Sequence, residues 1–163
     1  NWRGMTESGG RRIKRALILK QDGIKYLVEE DVERLKKIQL ITAYLSSATE
    51  KFQAYNKDNE IDTSLGINGR NLTNIGVFRK YVQTYLEHHS ALNKDMTLMT
   101  RQLEPTSQGI PIEIYTFSSD KRWQNYEYIM ADIFDHLLAA VPYFDLEIFE
   151  LPSSFPTHAT GNA

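Results

Sequence analysis

Cysteine is absent from this chain of 163 residues. Its absence excludes thiolate metal sites, cysteine nucleophiles and disulfides, and it agrees with a reducing compartment. Long apolar runs are absent too: none approaches the roughly 18–20 residues needed to cross a bilayer, and the opening residues do not read as a signal peptide. The sequence contains no P-loop, no GxGxxG, no HExxH and no GxSxG, so the common phosphate-binding and hydrolytic signatures are missing. Neither sign of charge dominates. Nineteen Lys and Arg against 21 Asp and Glu leave a net charge of −2, which rules out a chain-wide electrostatic attraction to nucleic acid. What remains is globular: 41% hydrophobic and 25% charged residues, at a length that buries a core in one domain without staples.

The charge is unevenly placed. The opening stretch NWRGMTESGGRRIKRALIL sets Arg3, Arg11, Arg12, Lys14 and Arg15 against Glu7 alone. It also packs Gly4, Gly9 and Gly10 beside Trp2. Such glycines point to positive φ or a close backbone approach, and no helix follows directly to make a phosphate cradle. The reading is an inter-domain junction formed by Trp2, Arg3, Gly4, Gly9, Gly10, Arg11, Arg12 and Arg15. The chain does not start with Met, and it is expected to be a piece of a longer protein.

Further along, residues 12–19 read as a strand, and residues 24–28 as its extension or a short second strand. Asp31 suits the N-cap of a helix whose apolar face is Val32, Leu35, Ile38, Ile41 and Leu45. A weaker helix is expected over residues 49–57 with Phe52 and Tyr55 inward, followed by a polar loop over 58–70. Thr73-Asn74 offers a cap for a helix carrying Ile75, Phe78, Tyr81, Val82, Tyr85 and Leu86. Residues 96–103 and 110–117 read as a hairpin around Pro105 and Gly109. In its second strand Ile110, Ile112 and Ile114 alternate with Glu113, Tyr115 and Phe117, the pattern of a half-buried antiparallel strand. The longest amphipathic signal covers residues 121–141, where Trp123, Tyr126, Ile129, Met130, Ile133, Phe134, Leu137, Leu138 and Val141 make one stripe. A last strand is expected at 146–151, before a loose tail. Strand, helices, strand, strand, helix, strand is an α+β, ferredoxin-like (split β-α-β) order, with extra helices in the first crossover.

The titratable residues suggest no catalytic set. His88 and His89 are adjacent and sit about 100° apart on a helix, so they suit the dipole and end carbonyls of its C-terminus better than one metal ion. Asp132 and His136, at i and i+4, pair or decorate a polar face. His158 falls in the tail. Glu29, Glu30, Asp31 and Glu33 suit a helix start. Arg101 and Glu113 are expected to meet across the hairpin as a surface pair of little worth. No catalytic, metal or cofactor residue is assigned. Tyr115 and Phe117 on one strand face resemble the base-stacking feature of an RNA-binding sheet. Glu113 shares that face, however, and the RNP1 pattern is absent; the aromatics are expected to pack.

The opening stretch resembles the end of the β-domain of bacterial mechanosensitive ion channels of the MscS superfamily, in the miniconductance subgroup. KDMTLMTRQLEP (94–105), IPIEIYTFSSD (110–120) and YEYIMADIFDHLLAAVPYFDLEIFELP (126–152) are similar to the subgroup's last αβ elements. NLTNIGVFRKYVQTYLEHH (71–89) resembles the helix before them. The resemblance implies residues 1–10 as the end of a β-domain, 11–152 as a cytoplasmic αβ domain and 153–163 as the tail. It further implies a homo-heptamer in the bacterial inner (cell) membrane, held there by N-terminal transmembrane helices. These domains would form a cage below a tension-gated pore that releases ions and small solutes under osmotic stress. It implies no cofactor, no enzyme activity and no nucleic acid. The alternative is a stand-alone ferredoxin-like regulatory or RNA-binding module.

Overall fold

A computed structural model describes residues 9–151; expectations for Trp2, Arg3, Gly4, His158 and the tail 153–163 lie outside the described residues. The architecture is α+β. Strands β1 (Arg11–Leu19), β2 (Met99–Gln102) and β3 (Ile110–Ser118) form one antiparallel sheet in the order β1-β3-β2. Helices α1 (Glu29–Leu35), α2 (Thr42–Asp58) and α3 (Asn74–Glu87) lie between β1 and β2, and α4 (Trp123–Ala140) follows β3.

The register determines which face is core. Ile13 pairs with Thr116, Leu17 with Ile112 and Leu19 with Ile110. Because side chains alternate along a strand, these residues and Ile114 share one face. That face joins Phe78, Val82 and Leu86 of α3 and Met130, Ile133 and Leu137 of α4 in a single hydrophobic cluster. Leu137 is fully buried at its centre. β3 is not half-buried, as its alternation suggests; every residue but Tyr115 is buried. It is the middle strand, and long side chains flank its second face: Arg12 stands opposite Phe117 and Arg101 opposite Glu113.

The hairpin joining β2 to β3 turns where its Pro and Gly indicate. Thr106 N–H donates to the Gly109 carbonyl at 2.8 Å. Gly109 has φ +141°, and a Cβ there would lie 2.2 Å from the Leu19 carbonyl oxygen, so only glycine fits. The outer edge of β2 is closed by a side chain. Thr100 N–H donates to Gln83 Oε1 at 2.9 Å, and Gln83 Nε2 donates to the Leu98 carbonyl at 3.4 Å.

The first crossover differs from the sequence reading in its breaks. The helix expected from Asp31 to Leu45 stops at Leu35; a 3-10 turn covers Gln39–Ile41, and α2 then runs unbroken to Asp58. Thr42 explains the break, since its hydroxyl donates to the carbonyls of Lys36 (2.6 Å) and Ile38 (3.1 Å) and draws the chain into a turn. Asp31 is not the cap: α1 begins at Glu29, and Asp31 Oδ2 accepts the Val28 N–H from within the first turn. Thr73 does cap α3, its hydroxyl accepting the Gly76 N–H at 3.1 Å.

Two expected strands are reduced to single bridges, Tyr26 to Thr73 and Ile148 to Leu19. The second lies along the outer edge of β1, with Lys20 N–H on the Glu147 carbonyl and Phe149 N–H on the Ile18 carbonyl. Asn74, wholly buried, ties these connections together. Its Oδ1 accepts the N–H groups of Lys25 and Ile75, and its Nδ2 donates to the carbonyls of Gly23 and Phe144. The polar loop after α2 is stitched in the same way: Asn56 exchanges both amide bonds with the backbone of Arg70. Tyr55 is exposed rather than inward.

Candidate functional site: a charged strand and a tyrosine–histidine seam

The residues expected to form a junction divide between the two faces of the sheet. Arg11 and Arg15 lie on the helix side, where Arg11 covers the Tyr126 ring at 4.2 Å and Arg15 the Phe134 ring at 5.4 Å. Tyr126 completes the joint by donating its hydroxyl to the Arg12 carbonyl at 2.6 Å. These two arginines therefore hold β1 to α4 within the domain. Arg12 and Lys14 project from the opposite face and are exposed. Gly10 is buried where a Cβ would stand 2.3 Å from the Ser118 carbonyl oxygen, the close approach expected of it. The Gly9 carbonyl accepts Asn93 Nδ2 at 2.6 Å, which ties the entering chain to the loop after α3.

His89 and His136 occupy a seam between α3 and α4. Asp132 does not pair with His136. Instead Asp132 Oδ2 meets His89 Nε2 at 2.9 Å, and His136 Nε2 meets the Tyr81 hydroxyl at 2.5 Å. Tyr85 lies between them, stacked on His136 at 4.3 Å and edge-on to His89 at 5.8 Å. His88 turns instead to its own helix end, with Nδ1 on the Thr84 carbonyl. Reasoning from each helix alone missed the seam. The signal lay in two four-residue ladders, Tyr81-Tyr85-His89 and Asp132-His136, which register when the helices run antiparallel.

Burial pushes the Tyr85 phenol up to about 12, assisted by the charge of Asp132 and by Tyr81, and burial also raises Tyr81. Both phenols remain protonated near neutrality and give no phenolate base or nucleophile. Among the described residues no group of three or more His, Asp or Glu side chains is placed to hold a metal ion. The seam can lock two helices together; it has no nucleophile set to activate.

Two further charge clusters are structural. Glu29, Glu30 and Asp31 occupy the first turn of α1, the favourable end of its dipole. Asp31 is held below the ordinary carboxylate range chiefly by the Val28 N–H, with Lys25 and Arg34 contributing. Arg34 and Lys25 each reach Asp145 at 3.0 Å, fixing a residue at φ +56° in the turn after α4. Arg101 and Glu113 are not the surface pair expected. Arg101 Nε donates to Oε1 of a Glu113 that is buried in the sheet, at 2.7 Å. Removing Arg101 strands a desolvated carboxylate.

Trp123 and Leu138, expected in the core stripe of α4, are exposed at 70% and 45%. Trp123 opens α4 and stays exposed, whereas Tyr126, in the same turn, is buried against β1. Of the two aromatics weighed for stacking a base, Phe117 is only 3% exposed and Tyr115 is half-buried. No helix among the described residues is long and apolar enough to cross a membrane. No protein-family model matches the chain.

Proposed function

We propose that this chain is the cytoplasmic αβ domain of a bacterial miniconductance mechanosensitive channel of the MscS superfamily. In that reading it forms part of the wall of a homo-heptameric cage below a tension-gated pore in the inner membrane. The pore releases ions and small solutes in hypo-osmotic shock, and the domain's part is mechanical. The observation that carries the reading is the resemblance of the opening stretch and of residues 71–89, 94–105, 110–120 and 126–152 to that subgroup.

The topology supports it. Antiparallel β1-β3-β2, helices on one face, and residues 147–149 along the free edge of β1 fit a ferredoxin-like order. α1 and α2 are then the material inserted in the first crossover. The rigid parts suit a wall: α4 is clamped to β1 by Arg11, Arg15 and Tyr126, and to α3 by the histidine seam. The decisive experiment has two parts. The coding sequence upstream of Asn1 is read for spanning segments, and the complete product is then patch-clamped in cells lacking other mechanosensitive channels. Several spanning segments and tension-gated currents support the proposal. A start codon beside Asn1 with no such segment overturns it.

A second reading, a stand-alone regulatory module, is favoured by one feature. A cavity of about 320 Å³ is lined by Ile38, Tyr81, His136, Ala139, Ala140, Tyr143 and Phe144. A rise in melting temperature with a small ligand, abolished by filling the cavity through Ala139→Leu, would select it. The RNA-binding form is disfavoured by the burial of Phe117.

A further inference from the structure

The helices inserted between β1 and β2 enclose a trough that the core does not fill. Ser46, Thr49, Glu50, Gln53 and Asn56 recur on α2 at steps of three and one, so they form one stripe along the helix. A stripe that faces a neighbouring helix is ordinarily apolar. This one is polar, and between it and α1 lies a cavity of about 460 Å³. That volume falls within the range of small-molecule sites.

The groups around the cavity are unequally satisfied. Asn56 is committed to the Arg70 backbone, and Glu33 pairs with Lys36 at 3.0 Å. Glu29 sits in the first turn of α1, where the dipole favours an acid. Glu50 and Arg70 differ from these. Both line the cavity and both are exposed, yet among the described residues neither has an ion-pair partner, although their charges are opposite. Arg70 is held in place by aromatic rings instead. Its guanidinium lies over Phe52 at 4.5 Å and is 5.9 Å from the Tyr55 ring. Gln53 makes no hydrogen bond among the described residues. Asn71 donates Nδ2 to the carbonyls of Gly66 and Asn68, and its Oδ1 has no donor among the described residues. Val32 and Leu72 supply apolar wall.

We infer that the trough between α1 and α2 binds a small zwitterion, an amino acid with an aliphatic side chain. Opposite charges that share one cavity without meeting are complementary to a molecule that carries both. The ligand carboxylate goes to the Arg70 guanidinium, whose fork of donors matches it, and the ammonium goes to Glu50. Gln53 and the Asn71 Oδ1 are left for the remaining hydrogen bonds, and Val32 and Leu72 for the side chain. A plain anion would face Glu29, Glu33 and Glu50, and a plain cation would face Arg70 and Lys36, so neither is as well matched. The walls belong to both helices, and an occupant therefore holds α1 against α2. The site lies in the inserted crossover, apart from the cavity beside Ala139, and it depends on neither functional reading.

The test is a titration of the 163-residue chain with L-leucine, followed by amide NMR shifts. The controls are 3-methylbutylamine, which is leucine without its carboxylate, and 4-methylpentanoate, which is leucine without its amine. Leucine is expected to give saturable shifts at Gln53 and Asn71 with a Kd of about 1 mM or tighter. Each single-charge analogue should bind about tenfold more weakly. Arg70→Gln and Glu50→Gln each remove one charge from an exposed side chain, so the fold should survive, which circular dichroism verifies. Arg70→Gln should bind leucine no better than the amine, and Glu50→Gln should bind it no better than 4-methylpentanoate. A general disturbance of the helices would not produce that crossed loss of selectivity. The inference is overturned by the absence of saturable shifts up to about 20 mM leucine. Analogues that bind as tightly as leucine, or variants that keep the wild-type selectivity, overturn it as well. So do shifts centred on Ala139 and Tyr143, which would place the ligand in the other cavity.

Discussion

At the scale of single residues, the buried amides carry more of the fold than the charges. Asn74 satisfies two backbone N–H groups and two carbonyls from segments that have no ladder of their own. Asn74→Ala orphans all four, and burial denies them water, so a loss of about 2–4 kcal/mol is expected. Urea denaturation would register it as a lower midpoint at unchanged slope; a change within about 0.5 kcal/mol would show that the segments repair themselves. The sequence allowed Thr73 to be read as a cap because its partner lies three residues away. It did not reveal Asn74, whose carbonyl partners are 51 and 70 residues distant. Local chemistry is legible locally, and a long-range staple is not.

At the scale of elements, apolar periodicity located the helices and concealed their ends. Val32, Leu35, Ile38, Ile41 and Leu45 keep one inward face through the 3-10 turn, so the pattern does not register the break that Thr42 imposes. The same blindness placed Trp123 in the core stripe, since the period continues to the first residue of α4, whereas packing begins at Tyr126. The two positions separate sharply in energy. Leu137→Ala should cost about 2–5 kcal/mol through lost contacts and a cavity. Trp123→Ala should change monomer stability by less than about 0.5 kcal/mol, because little is buried. Thermal or urea unfolding of both variants at low concentration tests this, and similar losses would mean that α4 packs from its first residue.

At the scale of the whole molecule, packing between helices couples stability to alkaline pH. Tyr85 titrates ordinarily at 10.0, and the fold raises it to about 12. The folded state thus binds this proton more tightly than the unfolded chain. Its stabilisation is complete below pH 10.0 and is lost as pH rises toward about 12. Tyr81 and Tyr126 are raised by burial in the same direction. Urea midpoints should therefore fall steeply across that window, and Tyr85→Phe should make the fall shallower while leaving values near neutrality close to wild type. Tyrosinate absorbance would show the Tyr85 transition directly. An identical alkaline slope in the variant would place the titration elsewhere. The seam behind this behaviour was the least legible part of the candidate site. It needs α3 and α4 brought side by side, and neither helix announces its neighbour.

The amide of Gln83 has one more consequence. By occupying the Thr100 N–H and the Leu98 carbonyl at the outer edge of β2 it takes up two of the groups on which a stray strand could template itself. A strand arriving on that side must first displace a single uncharged side chain.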